Sequence, residues 1–281
     1  MSASYDDMYA DRRLTDGVPD LESRALAARD VAEQRAAVDA TDVDKVLRHV
    51  SRLVDISGRR RIAVIGCGHR PKMLRALLDL GHDAMGIEPV DAYVRAASEY
   101  LEREGLVLKG VAEHLPLADG SQHVVLFENV LEHVDSVSKA LAELYRVTAP
   151  GGVAYVKTNS RLRFSPSGHN PEFRVPFYNW LPPIVKECYV HHHLHFDPSL
   201  AEFTTRPAVH WFDFAQLCQL GREAGFARFY SLLDVIQVDD PEIRGRWTRR
   251  VIARLCKHSP WLRALALTQV GGFVFMYKRL T

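Results

Sequence analysis

RIAVIGCGHRPKMLRALLDLGHDAMGIE, residues 61–88, reads as strand, glycine turn, helix and strand, and it decides the fold. Ile62 to Ile65 is a short, largely β-branched run of the kind buried in a parallel sheet. Gly66 and Gly68 interrupt it, and Pro71 falls where a first helical residue can lack an N–H. Met73, Leu74, Leu77 and Leu78 recur at helical spacing, Gly81 closes that helix, and Ala84 to Ile87 make a second strand with Glu88 at its C-terminal tip. This brings a carboxylate back beside the glycine turn. In an open α/β sheet such a crevice receives a nucleotide-like ligand, with backbone amides at the turn and the acid accepting ribose hydroxyls. Arg70 stands where a third glycine would continue a dinucleotide fingerprint, so the stretch points to a ribose-bearing ligand without choosing it, and an ordinary tight turn would use the same glycines.

The 281 residues are 47% hydrophobic and 25% charged, a soluble globular composition with room for one large domain or a domain with insertions. No apolar run has the length of a membrane span, and the acidic start MSASYDDMYADRR has no apolar core, so a cytoplasmic location is expected rather than secretion. The four cysteines, at 67, 188, 218 and 256, show no paired spacing, as suits reduced thiols. A net charge of +1 names no partner, but residues 1–44 lean acidic, whereas 241–263 carry seven Lys or Arg against Glu242 alone.

Residues 21–53 look helical, with Val43, Val46, Leu47 and Val50 in one stripe after a cap at Thr41 or Asp42. Residues 1–56 are therefore expected to form a helical preface, with Tyr5 and Tyr9 either a lid or part of a loose tail, ahead of a domain over 57–281. After Glu88 come a helix over 90–103 and a third strand, Leu106 to Val111. The Asp119-Gly120 turn precedes the strand Val124 to Phe127, which ends in the polar cluster Glu128, Asn129, Glu132 and His133. A helix with Val137, Ala140, Leu141, Leu144 and Tyr145 on one face then leads through APGG to the strand Val153 to Lys157. Alternating strands and helices predict an α/β fold with a parallel sheet and right-handed crossovers.

The series IGCG, GIEP, AEHLPLADGSQHVVLFENVLEHV and LYRVTAPGG resembles the class I S-adenosylmethionine-dependent methyltransferases of the methyltransferase type 11-like kind, over roughly residues 60–160 and again at 211–232 and 272–279. The resemblance implies a Rossmann-like, seven-stranded, mostly parallel sheet with helices on both faces and an antiparallel last strand. Phe226 to Leu233 would be strand six, and Phe273 to Lys278 strand seven, next to strand five. It implies S-adenosylmethionine as cofactor, held by Gly66, Cys67, Gly68, Glu88, Pro89, Ala112, Glu113 and Asn129. Two positions depart from the family: Val64 stands where an acid usually helps hold the cofactor's amino-acid end, and Val111 where an Asp often pairs with the adenine amino group. The adenine is then left to the Ala112 amide and Glu113.

Residues 160–210, rich in Pro, aromatic residues and His, fall where relatives of that family build a substrate cap, and a loop of this length in a compact domain is usually functional. The helix after it is signalled by a capping box, Asp213 with Gln216, and a staple, Phe212 with Leu217. His191, His192, His193 and His195 could meet a substrate, bind zinc or stand idle in solvent; without a CxxC or HExxH partner no metal is expected. Residues 241–263 read as one helix, with Ile243, Trp247, Val251 and Leu255 in a stripe and Arg246, Arg250 and Arg254 beside it. This basic insertion, about 240–265, is either an ordinary surface helix or a face for anionic lipid or a lipid-phosphate substrate.

The sulfonium cofactor brings an electrophilic methyl, so the protein must align an acceptor, exclude water and, for a hydroxyl, take its proton. Candidate bases are His133, His169 and His193, because imidazole titrates near neutrality. The charge balance disfavours nucleic acid. Segments of the cap resemble those of bacterial methyltransferases that modify sugars, which makes Phe173, Phe177, Tyr178 and Trp180 stacking candidates, with Asn170 and His at the hydroxyls. The expected activity is O-methylation of a sugar hydroxyl on a glycan or glycolipid. The alternatives are a small secondary metabolite as acceptor, a cofactor-binding partner protein without catalysis, or a nicotinamide-dependent oxidoreductase on the same sheet.

Overall fold

The computed structural model describes residues 40–162, 181, 185, 210–245 and 247–280. The first described helix, α1 (Ala40–Ser51), is followed by β1 (Arg61–Ile65), α2 (Lys72–Asp79), β2 (Asp83–Glu88), α3 (Asp91–Leu101) and β3 (Val107–Lys109). Next come β4 (Gln122–Glu128), α4 (Val137–Val147) and β5 (Thr148–Lys157), and after residue 210 α5 (Phe214–Glu223) and β6 (Arg228–Ser231). The chain then runs through α6 (Leu232–Val235), α7 (Pro241–Arg244), α8 (Trp247–His258) and α9 (Pro260–Val270) to β7 (Phe273–Tyr277).

Among the described residues the strands form one seven-stranded sheet in the order β3-β2-β1-β4-β5-β7-β6. Pairing is parallel from β3 to β5, and β7 runs antiparallel to both β5 and β6. Strand periodicity sends alternate side chains of β1 to opposite layers. Ala63 and Ile65 pack with Leu141 and Leu144 of α4 and Leu217 of α5, whereas Ile62 and Val64 pack with Val46 and Val50 of α1 and Leu74 and Leu77 of α2. The order reverses between β1 and β4, so the crevice at their carboxyl ends is the natural ligand site of such a sheet.

Several boundaries differ from the sequence expectation, each for a local reason. Strand six is Arg228–Ser231 rather than Phe226 to Leu233, because the Asp234 carboxylate accepts both the Ser231 N–H and its hydroxyl at 2.7 Å, turning the chain into α6. Strand five begins at Thr148, ahead of the glycines, with a register shift opposite Gln122 and Val124. There Gly152 lies so close to β4 that a Cβ would meet the His123 carbonyl oxygen at 2.7 Å. The single helix expected over 241–263 is instead α7, α8 and the start of α9: Gly245 caps the first, and the Ser259 hydroxyl caps a new helix whose first residue is Pro260.

Most of the stripe named from the sequence faces away from the protein. Trp247, Val251 and Leu255 face solvent and Ala253 and Cys256 are buried, while Ile243 of α7 sits in the interior. The capping box stands as expected: the Gln216 N–H donates to the Asp213 carboxylate at 2.9 Å and the Asp213 N–H to the Gln216 side chain at 3.2 Å. Phe212 and Leu217 are both fully buried beside it. No helix among the described residues is long and apolar enough to cross a membrane.

Candidate functional site

Two cavities meet at the glycine turn. One, of about 250 Å³, lies over Glu88, Pro89, Ala112, Glu113, Asn129 and His133, with Tyr93 at its side. The other, of about 260 Å³, runs from Val64 and Leu126 to Glu128, with His69, Arg70 and Lys72 at its rim. Both share Ile65, Gly66 and Gly68 as a common wall, so an elongated ligand can lie across the carboxyl ends of β1, β2 and β4.

The glycines supply shape rather than donors. Gly66 and Gly68 sit at φ +69° and +70°. A Cβ on Gly66 would meet Val130 Cγ2 at 2.3 Å, whereas one on Gly68 would meet nothing within 4 Å and would stand in the cleft. The expected backbone amides are already engaged: the Gly66 and Cys67 N–H groups both donate to the Ile87 carbonyl, at 2.8 and 3.2 Å, and the Gly68 N–H donates to the Glu88 carboxylate at 3.0 Å. The Cys67 side chain turns toward β2, where a Cβ on Gly86 would lie 2.6 Å from its Sγ. Burial and the Glu88 carboxylate push that thiol up to about 12, so Cys67 contributes backbone and packing, not a nucleophile.

Glu88 is the electrostatic centre. It is 5% exposed, and its second oxygen accepts the Val90 N–H at 3.3 Å. Burial pushes its carboxyl up to about 7, against the opposing pull of the Gly68 and Val90 N–H groups. An acid poised there is matched to a ligand that brings hydroxyl donors.

Glu113 has a different first duty from the one expected. One of its oxygens accepts the Asp135 and Ser136 N–H groups, at 2.6 and 3.2 Å, and so fixes the turn into α4. Asn129 holds φ +54° with its N–H on the Lys157 carbonyl at 2.7 Å, a backbone twist that carries the chain over the cavity. His133 joins Asn129 and Val130 in the cavity wall. Of the remaining candidates, His169, His193, Asn170, Phe177, Tyr178 and Trp180 lie outside the described residues, as do His191, His192, His195 and Phe173.

Sequence reasoning left Glu128 out of the ligand set, although its place after the strand was visible. One of its oxygens pairs with Lys157 at 3.0 Å. The other is buried without a hydrogen-bond partner in the described structure. It borders the same cavity as Val64, so a carboxylate on the neighbouring strand faces the space where Val64 offers none. Tyr93, 5.2 Å from the His69 ring, was also missed, because only the fold brings the start of α3 back to the turn. The ends of the 160–210 segment are tied together at this same sheet edge: Ser160 bridges to Phe212, the Arg161 N–H donates to the Phe212 carbonyl at 2.8 Å, and His210 bonds the Val134 carbonyl at 3.0 Å.

Away from the cleft, His49, Asp240 and Glu242 bring three possible metal-ligand atoms within 4.8 Å. Arg52 grips Asp240 at 2.5 and 2.8 Å, and Arg48 reaches Glu242 at 3.3 Å, so two guanidinium groups already balance both carboxylates. This is an ion-pair network tying α1 to the start of α7.

Residues 63–156 match the family model described as a methyltransferase domain. The chain is 31% identical over 126 residues to a probable S-adenosylmethionine-dependent methyltransferase of Mycolicibacterium smegmatis, covering 43% of this chain and 46% of that protein. It is 29% identical over 140 residues to norajmaline N-methyltransferase of Rauvolfia serpentina, covering 48% of each. The chain spans about half the length of the curated relatives it matches. Among solved structures, a chain in the complex between the Haloferax volcanii Trm112 methyltransferase activator and the putative methyltransferase aligns with a TM-score of 0.52 and 17% identity, over 92% of this chain and 96% of that one, a likeness of fold. Residues 63–156 therefore carry the sequence pattern of a methyltransferase domain, on the parallel part of the sheet that forms the cleft.

Proposed function

We propose that this chain methylates a sugar hydroxyl of a glycan or glycolipid. The observation that supports the methyl-transfer part is the pair of cavities sharing the glycine turn at the sheet's switch point, with buried Glu88 bordering one and the unpaired oxygen of Glu128 the other. S-adenosylmethionine, held there, would supply an electrophilic methyl on a sulfonium. Glu88 would accept hydrogen bonds from the ribose hydroxyls, Ala112 and Glu113 would border the adenine, and Glu128 would receive the ammonium at the amino-acid end; these residues line the two cavities. Arg70 and Lys72, at the rim, offer charge to the carboxylate. His133, in the wall beside Asn129, is the candidate proton acceptor among the described residues.

The acceptor assignment draws on the 160–210 segment. Its aromatic, Asn and His content suits sugar rings and hydroxyls, and its two described ends meet at the rim of the cleft. A small-metabolite acceptor is the second reading, favoured by the similarity to norajmaline N-methyltransferase. The test is transfer of isotopically labelled methyl from S-adenosylmethionine to envelope glycolipid and to small-metabolite fractions of the source organism, read by mass spectrometry. Label on a sugar oxygen is expected. Label confined to small non-sugar compounds would refute the acceptor, and binding without turnover in any fraction would refute catalysis. Calorimetric binding of a nicotinamide dinucleotide in preference to S-adenosylhomocysteine would overturn the cofactor.

A further inference from the structure

Helices α8 and α9 are built the wrong way round for burial in this domain. A surface helix normally turns its large apolar residues to the core. On α8, Trp247, Val251 and Leu255 recur one turn apart and face outward, with Ile252 exposed at their edge, while only Ala253 and Cys256 are buried. On α9, Trp261, Leu262 and Leu265 are exposed and no residue is buried. Trp247 and Trp261 are 75% and 85% exposed. Scattered exposed apolar residues need no account, but two consecutive helices that both present Trp and Leu do.

Side-chain hydrogen bonds tie α9 to the rest of the domain. Arg263 donates to Asp234 at 2.7 and 2.9 Å, the Ser160 hydroxyl donates to the Thr268 carbonyl at 3.2 Å, and the Ser259 hydroxyl caps α9 at the corner between the helices.

The charged side chains of α8 have one sign: α8 and α9 contain no Asp or Glu, whereas α8 carries Arg249, Arg250, Arg254 and Lys257, and Arg263 of α9 is paired with Asp234. Arg249, Arg254 and Lys257 of α8 are exposed beside the apolar stripe. Two copies of such a face would bring like charges together, and a purely apolar partner would leave the guanidinium groups without counter-charge. An apolar strip with Trp, flanked by Lys and Arg, is complementary to one surface in both respects: anionic headgroups over acyl chains.

We propose that α8 and α9 form a peripheral docking face for an anionic lipid bilayer. Trp247, Trp261 and Leu265 enter the headgroup boundary, and Arg249, Arg254 and Lys257 meet lipid phosphates. The proposal stands on these helices alone and holds whatever the methyl acceptor proves to be.

The test is flotation of the purified full-length chain with vesicles of pure phosphatidylcholine or of phosphatidylcholine with phosphatidylglycerol, at low and high salt. Association with the phosphatidylglycerol vesicles is expected, falling in high salt. Arg254→Gln with Lys257→Gln should weaken it by about 25-fold, about fivefold for each charge. Trp247→Ser with Trp261→Ser should abolish it while thermal melting and S-adenosylhomocysteine affinity stay unchanged, since both side chains lie outside the core and the cleft. Failure of the full-length chain to bind anionic vesicles would overturn the proposal, and would be the outcome if its own acidic residues 1–39 cover the face. Undiminished binding by the double Trp variant would overturn it too. So would a lipid-free dimer that this variant disperses, which would make the face a contact between copies.

Discussion

Lowering the pH should release the cofactor through one residue. Burial holds the Glu88 carboxyl at about 7. Ribose hydroxyls donate hydrogen bonds, so they favour the ionised form, and binding is linked to loss of that proton. One pH unit below the pKa about one site in eleven is ionised, and one unit above about ten in eleven are. S-adenosylhomocysteine should therefore bind about tenfold more tightly near pH 8 than near pH 6, a difference of about 1.4 kcal/mol. Glu88→Gln keeps the size but loses the charge-assisted bonds, and should weaken binding near pH 8 by about 1–3 kcal/mol and flatten the profile. Titration calorimetry of both proteins across this range is the assay, and the ratio of their affinities cancels any titration of the ligand itself. The reasoning is refuted if the two profiles are parallel, or if Glu88→Gln binds within about twofold of the native chain near pH 8.

Glu128→Gln should weaken S-adenosylhomocysteine by about tenfold yet leave 5′-methylthioadenosine, which lacks the amino-acid end, unaffected; equal losses for both would place Glu128 elsewhere. Gly66→Ala should destabilise the fold by about 1–3 kcal/mol through positive φ and the clash with Val130, seen as a lower melting temperature. Gly68→Ala, with open space ahead of it, should cost less stability and more cofactor affinity. Arg52→Ala strands buried Asp240 and should cost about 3–5 kcal/mol by denaturant unfolding. Burial would raise the Asp240 carboxyl, but the Arg52 hydrogen bonds and charge hold it at about 2. Its contribution is thus present above the ordinary carboxylate range and is lost as pH falls toward 2. The unliganded protein should show the opposite sign at Glu88: the native state keeps a proton that the unfolded chain has lost, so stability falls as pH rises from about 4.5 to 7, by less in Glu88→Gln.

The sequence alone determined the parts governed by local rules. Apolar β-branched runs alternating with helical periodicity give strands and helices in order, and the fixed twist of the chain then allows only one hand of crossover, so the parallel half of the sheet and the Glu88 position beside the glycines were legible. The capping box at Asp213 was legible too, because its partners lie three residues apart. Contacts between distant segments were not. That the Ile87 carbonyl engages the Gly66 and Cys67 amides, that Glu113 serves the turn into α4, and that Glu128 faces the cavity beside Val64 all depend on which strands become neighbours. The orientation of α8 shows the limit most clearly. Its periodicity announces an apolar stripe, but periodicity is unchanged by rotation about the helix axis. Only packing of Ala253 and Cys256 inward, with Arg263 bound to Asp234 on α6, decides that Trp247, Val251 and Leu255 point away from the protein.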